Sequence, residues 1–245
     1  MVTDMASPLR PAATVVLLRD GPGGAEVWLM QRNRSVTFMA SAWVFPGGRV
    51  DDADAAGLAS AVPAPDAFTR VPRAFWIAAA RELEEEANIR LGDAQGYALD
   101  QLKIWSHWIT PEVEPKRYDT WFFAARLPEG VEARVDGGEA VDGGWYTPAD
   151  AIERASAGTL PVAPPTLRTL YELLPYGTVD EILAVPRRTP AICPKFKQDD
   201  DGQLYVLLPG DPEHPSTEEV DPPFRYVFGA GRWWAKDGRH QRSRT

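Results

Sequence analysis

The acidic run that follows Arg81 contains the residues best suited to chemistry. Glu82, Glu85 and Glu86 are separated by three and four positions, so on a helix their side chains meet on one face. Carboxylates at this spacing repel one another unless a cation lies among them. Hard oxygen ligands without Cys or His favour Mg²⁺ or Mn²⁺ over zinc. The spacing therefore fits a divalent metal site.

A glycine pair upstream makes this prediction more specific. Glu-rich helix faces are common and are usually only solvated, so the acidic run alone does not identify a site. The segment Phe45-Pro46-Gly47-Gly48 precedes it, and a Gly-Gly turn lets backbone carbonyls approach a ligand or a metal closely. A strand, a Gly-Gly turn and a helix with this carboxylate face together indicate a site better than either piece does.

The helix that must position these carboxylates is predicted over 73–87. Its apolar stripe recurs at spacings of four, three and four positions: Trp76, Ala80, Leu83 and Ala87. Pro72 suits a first helical position, and Thr69 is a candidate cap just upstream. Asn88 tolerates the left-handed conformation that usually ends a helix, so we expect the helix to stop there.

Short apolar and β-branched runs predict strands at 12–19, 26–32, 42–45, 101–109, 118–126 and 142–146. The first two are expected to form a hairpin across a five-residue loop, 20–24. Residues 49–67 are rich in Asp, Ala, Gly and Pro, which predicts a loop. Short helices are predicted at 148–157 and 165–174, and a hairpin turning at 199–202 indicates a β-rich C-terminal region.

The order of these features resembles the signature of the Nudix hydrolases, G-x5-E-x7-R-E-U-x-E-E-x-G-U, where U is aliphatic. Residues 81–89 match its second half, with Asn88 where the family has Gly. Gly48 and Asp54 match its first half, but 26 residues follow Asp54 where the family has seven. These extra residues leave the role of Asp54 open, and we predict that the insertion, at about 55–72, forms a rim or lid beside the site.

Downstream segments resemble the split-box branch of the family, which includes a peroxisomal coenzyme A diphosphatase. Residues 108–111 and 117–123 resemble its W-L-T-P and R-F-D-T-x-F-F patterns, and 164–166 resemble its later Pro-Pro-Thr block. Another group of Nudix coenzyme A enzymes carries a motif from a Leu-x-x-Arg to F-P-G-G, and the ends of 29–48 match that motif.

The resemblance implies an α/β fold, namely a Nudix α/β/α sandwich with a mixed β-sheet. We assign residues 10–175 to this Nudix domain. Residues 176–245 then form a β-rich C-terminal extension, which is packed on the core or at a dimer contact.

The resemblance also implies roles for the acidic block. Glu85 and Glu86 would be the principal metal ligands, helped by the backbone carbonyl of Gly48. Glu82 would ligate a further metal or accept the proton from the attacking water. Arg81 would hold Glu82 in orientation and compensate its charge. The implied cofactor is Mg²⁺, or Mn²⁺ in its place.

Four further residues are candidates for the site. Glu139, in a loop before the last predicted strand of the domain, would supply an additional carboxylate; the alternative is an ordinary polar loop residue. Arg32 and Arg34 would clamp substrate phosphates, because the guanidinium fork matches phosphate oxygens; the alternative is a pair of surface arginines. Phe45, directly before the turn, is a candidate substrate contact.

Four residues with reactive or charged side chains are predicted to be structural. His107 is expected to be packed beside tryptophans rather than to act in catalysis. Arg117 and Asp119 are expected to form a structural ion pair. Cys193 shows no feature that lowers a thiol pKa, so we expect it to be inert.

Composition limits the classes of function. The chain has 245 residues, a net charge of −9 and one cysteine. A strongly acidic protein is a poor candidate for binding nucleic acid or an anionic membrane, and one cysteine excludes an internal disulfide. No window approaches ~18 apolar residues and the N-terminus does not resemble a signal peptide, so we expect a cytoplasmic protein without a membrane span.

The resemblance to the Nudix hydrolases leaves three candidate functions. The first is an Mg²⁺-dependent diphosphatase, acting on phosphorus-containing anhydrides, that cleaves coenzyme A or an acyl-CoA. The second is a diphosphatase for ADP-ribose, a dinucleotide or a nucleotide sugar. The third is a non-catalytic Nudix module that senses a nucleotide. The intact acidic block favours an enzyme over a binding module. Its expected partner is a small nucleotide diphosphate substrate. Because Nudix enzymes often dimerise, the resemblance also allows a homodimer.

Overall fold

The computed structural model describes residues 7–33, 41–135, 137–138, 140–218 and 220–236. Its strands are β1 (Leu9–Gly21), β2 (Gly24–Arg32), β3 (Trp43–Val44), β4 (Gly47–Arg49), β5 (Ala59–Ala61), β6 (Gly92–Asp93), β7 (Gly96–Ala98), β8 (Lys103–Ile109), β9 (Arg117–Arg126), β10 (Ala140–Tyr146), β11 (Ala191–Ile192), β12 (Lys195–Gln198), β13 (Leu204–Leu207), β14 (Arg225–Gly229) and β15 (Arg232–Ala235). Its α-helices are α1 (Pro65–Arg70), α2 (Arg73–Ala87), α3 (Pro148–Ala157), α4 (Pro164–Leu173) and α5 (Val179–Ala184). None of the helices in these described ranges has both the length and the apolar character needed to cross a bilayer.

A mixed sheet forms the centre of the fold. Its strands run in the order β10-β2-β1-β9-β8-β11, with β3 paired to β2 and β4 paired to β1. Strand β1 is parallel to β9 but antiparallel to β2 and β4. Side chains alternate along β1, so Ala13, Val15 and Leu17 face one side while Val16 and Leu18 face the other.

Helices cover both faces of this sheet. Helix α2 packs on the face that includes Ala13 and Leu17. The opposite face is covered by α3, α4 and α5, whose Ala151, Leu167 and Ile182 share a core cluster with Val16. The predicted α/β/α sandwich with a mixed sheet is therefore confirmed.

Helix α2 has the bounds that the sequence predicts. Its apolar stripe is fully buried, and residues 75–80 are buried on every side, because α2 also packs beneath elements of the insertion. Asn88 ends the helix with a φ of 55° and donates to the carbonyl of Glu84. This left-handed ending is as predicted. Thr69, however, does not cap α2, since it lies inside α1.

Two other local predictions are wrong. The first hairpin turns through two residues, because Gly21 pairs directly with Gly24. The segment 49–67 is not a loop: it contains a 3-10 turn at Asp52–Ala56, then β5, then the start of α1. Strand β5 forms because it pairs in parallel with β7, a partner more than 30 positions away that local composition does not reveal.

The C-terminal region is rich in β-structure, as predicted. Strands β12 to β15 form an antiparallel sheet in sequence order. Val206, Leu208 and Tyr226 are buried in the same cluster as Leu167 and Leu170 of α4. The sequence did not predict α5, which begins at a capping box formed by Thr178 and Glu181.

Candidate active site

The glycine pair and the acidic helix face lie together at the centre of the sheet. Strand β4 carries both glycines and pairs with β1, where Gly48 lies opposite Ala13. Helix α2 packs over the same stretch of β1. The backbone N–H of Gly47 donates to Oε2 of Glu86 at 2.7 Å, and Glu86 is only 8% exposed. The turn and the helix are therefore joined by a short, charge-assisted hydrogen bond.

Gly48 lies equally close to a second carboxylate. A Cβ atom placed on Gly48 would lie 2.5 Å from Oε1 of Glu82, well inside van der Waals contact. Only glycine lets the backbone of the turn come this near to the carboxylate.

Arg81 connects the acidic side chains around it. Its Nε and Nη2 donate to the two carboxylate oxygens of Asp54, at 2.9 and 3.0 Å. Its Nη1 donates to Oε1 of Glu82 and to Oε2 of Glu85, both at 2.9 Å, and Nη2 also donates to the carbonyl of Arg49. The hydrogen bond with Asp54 is the main reason why the pKa of Arg81 is raised far above its ordinary value, against the opposing effect of burial. Arg81 thus stays cationic and holds Glu82 beside the turn.

Asp54, whose role the sequence left open, binds the guanidinium of Arg81. Its side chain is 3% exposed, and its Oδ2 also accepts from the backbone N–H of Asp51 at 2.7 Å. The acidic position of the first half of the signature is thereby joined to the arginine of the second half. The insertion lies between Asp54 and Arg81 in the sequence, but the two side chains are in contact in the fold. The only sequence signal for this contact is the position of Asp54 after Gly48.

The insertion itself is fixed to α2 and to the C-terminal region. Phe68 of α1 packs edge-on against Trp76 of α2, with ring centroids 5.8 Å apart. Arg70 donates to Oγ1 of Thr189 at 2.7 Å, and Arg73 donates to the carbonyl of Gly57. These contacts are those of a packed wall rather than of a free flap.

The three carboxylates predicted to bind metal differ in exposure. The side chain of Glu82 is 13% exposed and that of Glu85 is 56% exposed, whereas Glu86 is buried against Gly47. Within the described ranges, no three Asp, Glu, His or Cys side chains are grouped tightly enough to enclose an ion. Glu82 and Glu85 are instead drawn to Arg81. The donor set nevertheless fits Mg²⁺ or Mn²⁺ chemically, because it offers carboxylate oxygens and a close backbone turn without sulfur or imidazole.

The other predicted site residues are less well placed. Arg34 and Glu139 lie outside the described residues. Arg32 ends β2 beside Ala140 of β10, and its buried Nε has no hydrogen-bond partner. Phe45 is 3% exposed and belongs to the hydrophobic core, so its ring packs the sheet and offers almost no surface to a substrate.

The predicted ion pair between Arg117 and Asp119 does not form. Asp119 instead contacts Nε2 of His107 at 2.6 Å, and Arg117 donates to the carbonyls of Thr110 and Ser7. The His107 ring stacks on Trp121 at 4.0 Å between centroids. The packed position of His107 is as predicted. Its partner, however, is Asp119, which the sequence predicted to pair with Arg117. Burial raises the pKa of the Cys193 thiol, which agrees with an inert cysteine.

Comparison with known protein families identifies the family of this chain. A sequence model described as the NUDIX domain matches residues 8–168, which is more than half of the chain. This protein belongs to the Nudix family. The matched range includes the glycine turn, the insertion, Asp54 and the whole of α2.

Curated relatives are similar over parts of their length. The chain is 29% identical over 128 residues to an acyl-coenzyme A diphosphatase of Xenopus laevis, a match that covers 49% of this chain and 33% of that protein. It is 25% identical to an acyl-coenzyme A diphosphatase of Gallus gallus, over 71% of this chain and 70% of that protein. The chain thus spans about a third of the first relative and about two thirds of the second.

A solved structure supports the same family. The chain resembles a Nudix hydrolase from Alicyclobacillus acidocaldarius with a TM-score of 0.65 and 25% identity, covering 75% of this chain and 99% of that one. The prediction of a Nudix fold is therefore confirmed, and the chain is similar to a protein described as a Nudix hydrolase.

Proposed function

We propose that this protein is a divalent-metal-dependent diphosphatase whose substrate is coenzyme A or an acyl-CoA. The observation that carries the proposal is the joining of Glu82, Glu86 and the Gly47-Gly48 turn around one point, with Arg81 holding the acidic face in place. The choice of coenzyme A is supported by the two curated relatives named as acyl-coenzyme A diphosphatases.

The difficulty of the reaction is electrostatic, because a water must approach a polyanion. Glu85, Glu86 and the carbonyl of Gly48 would hold Mg²⁺ or Mn²⁺. When bound, the metal neutralises phosphate charge and lowers the pKa of a bound water. Arg32 would contact the phosphate oxygens, since its buried Nε has no hydrogen-bond partner among the described residues.

Glu82 would take the proton from the attacking water. The oxygen of the water then bonds to one phosphorus, and the bond from that phosphorus to the bridging oxygen breaks. The bridging oxygen leaves with the other phosphorus. From coenzyme A the products would be an adenosine bisphosphate and a phosphopantetheine. Arg81 would keep Glu82 ionised and oriented, because its Nη1 donates to Oε1 of Glu82.

A substrate panel tests this function. The full-length protein is assayed for product formation from coenzyme A, an acyl-CoA, ADP-ribose and NADH with Mg²⁺, with Mn²⁺ and with a chelator. We expect metal-dependent hydrolysis with the largest kcat/KM on coenzyme A or the acyl-CoA. A preference for ADP-ribose or NADH would change the proposed substrate but would still support a diphosphatase. No hydrolysis of any substrate would favour a binding module.

Two neighbouring glutamates provide matched variants for this assay. Glu85→Gln removes a carboxylate that faces solvent beside Arg81, and should cost at least ~3 kcal/mol of barrier, which is roughly 160-fold in rate. Glu84→Gln changes the same charge on the other side of α2, where Glu84 accepts from Arg90 and Tyr97. Equal activity in the two variants would contradict the metal role of Glu85.

A further inference from the structure

A polar cavity lies on the other side of the sheet from the acidic block. It has a volume of about 300 Å³ and is bordered by β8, α4 and the segment 185–190, a size within the range of small-molecule sites. Its α4 wall belongs to the face opposite α2. Strands β1 and β9 lie between β4 and β8, which is a separation of about 14 Å across the sheet.

Arginines dominate the charge of the cavity wall. Arg168, Arg187 and Arg188 line it together with two carboxylates, Glu172 and Asp221. Of these five residues, Arg188 and Asp221 are exposed at the mouth. The side chains of Arg168 and Glu172 are 3% and 5% exposed, so they form the buried floor.

The buried carboxylate of Glu172 accepts from three donors of the wall. Oε1 of Glu172 accepts from Nη2 of Arg168 at 2.8 Å. Its Oε2 accepts from Nη2 of Arg187 and from the indole N–H of Trp105, both at 2.9 Å. The guanidinium of Arg187 also lies 4.0 Å from the centre of the Trp105 ring, which fixes it in place. Backbone carbonyls take further donors of the arginines: Nη1 of Arg168 donates to the carbonyl of Asp221 at 2.6 Å, and Nε of Arg187 donates to that of Trp105 at 2.9 Å.

Two donors of the wall lack any partner. Oγ of Ser106 and Nε of Arg168 are buried without a hydrogen bond, on residues that are 4% and 2% exposed. Ser106 reaches the cavity where a bulge between Ile104 and Ser106 interrupts the register of β8 with β9. Leaving a buried donor without an acceptor is unfavourable, so both positions favour an incoming acceptor oxygen. At the mouth, Arg188 makes no ion pair with any residue in the described part of the chain.

We propose that this cavity binds the phosphate group of a small ligand, at a site separate from the diphosphate-cleaving centre. A phosphate offers several oxygens to separated donors, and a guanidinium fork matches their geometry. Ser106 and Arg168 contact it from the floor, and Arg188 contacts it from the mouth. The proposal does not depend on which diphosphate the enzyme cleaves.

Three variants test the site without removing the buried ion pair. Ser106→Ala deletes the unpartnered hydroxyl, and without ligand it should leave the protein as stable as the parent. Arg188→Gln deletes the guanidinium at the mouth. Arg10→Gln is the matched control, because Arg10 is also exposed and pairs with no described residue.

Binding is measured by isothermal titration calorimetry on the full chain in metal-free chloride buffer, with inorganic phosphate and separately with AMP. We expect Ser106→Ala and Arg188→Gln each to raise the Kd for phosphate at least threefold, while Arg10→Gln leaves it unchanged. A lower Kd for AMP than for phosphate identifies a phosphomonoester as the ligand, and equal values identify the free anion. Unchanged phosphate binding in both cavity variants, or no binding to the parent protein, overturns the proposal.

Discussion

Arg81 and Asp54 form a two-pronged ion pair although they are 27 positions apart, with Nε and Nη2 donating to Oδ1 and Oδ2 at 2.9 and 3.0 Å. The ion pair joins the 3-10 turn after β4 to the middle of α2, and the insertion lies between these two elements in the sequence. Because Arg81 also holds Glu82 and Glu85, Asp54 positions the acidic face through one intermediary.

Asp54→Asn should therefore lower both stability and rate. The change leaves the partly buried Arg81 with weaker partners, at a cost of about 2 kcal/mol in the free energy of unfolding. Released from Asp54, Arg81 no longer fixes Glu82, so kcat should fall more than KM changes. Urea unfolding and steady-state kinetics measure the two effects. Asp52→Asn, at an exposed position of the same 3-10 turn, should change neither, and equal losses in both variants would exclude a positioning role.

Gly48→Ala should slow the reaction with little loss of stability. The added Cβ would meet Oε1 of Glu82 at 2.5 Å, and Arg81 limits how far that carboxylate can retreat. Since misplacing a reacting group by 1 Å can cost about 100-fold, we expect kcat to fall at least ~10-fold. Gly177→Ala is the control, because its Cβ would meet Glu181 at an ordinary 3.6 Å. Normal kcat in Gly48→Ala would show that the close approach is not required.

Phe68→Ala tests whether the insertion shapes substrate choice. Loss of the edge-on contact with Trp76 should cost about 1 kcal/mol and loosen α1 against α2. If the insertion forms the rim of the site, the ratios of kcat/KM among substrates should change while the metal concentration for half-maximal rate stays constant. Leu58→Ala, at a position of the same insertion that is 71% exposed, serves as the control. A uniform loss on every substrate would argue against a rim.

Asp20 should make the protein sensitive to acid. Hydrogen bonds from the backbone N–H of Val179 and from Arg126 hold the pKa of Asp20 below its ordinary value of 3.8. This carboxylate therefore stabilises the fold fully above pH 3.8, and the contribution is lost as pH falls through the lowered pKa. Asp20→Asn should be less stable than the parent at neutral pH, and the difference should close in strong acid. Chemical unfolding across this range measures it.

Asp180 provides the comparison for this titration. It pairs with the same Arg126 but is 92% exposed, so Asp180→Asn should have a smaller effect at neutral pH. A stability difference for Asp20→Asn that does not depend on pH would contradict the argument.

Leu208→Ala tests how far the C-terminal sheet is part of the main core. Leu208 is fully buried in the cluster that contains α4, so truncation should cost about 2–5 kcal/mol in the free energy of unfolding. Phe228→Ala, at a position 37% exposed, should cost about 1 kcal/mol or less. A single cooperative transition that shifts as a whole is expected. A separate early transition would show that the C-terminal sheet unfolds on its own.

The sequence by itself determined the elements that depend on local order. The apolar stripe of α2, its left-handed ending at Asn88 and the i, i+3, i+4 spacing of its glutamates follow from helix geometry within one segment. The family signature also located the acidic block and the glycine turn. These features need only neighbours along the chain, so residue types and spacing are enough to specify them.

Only the tertiary structure decided which distant groups meet. Asp54 reaches Arg81, β5 pairs with β7, Asp119 turns to His107 rather than to Arg117, and Phe45 is buried in the core. Each of these contacts depends on how strands and helices pack across long separations in sequence. Residue types state what a carboxylate can bind, but packing fixes which partner lies within reach.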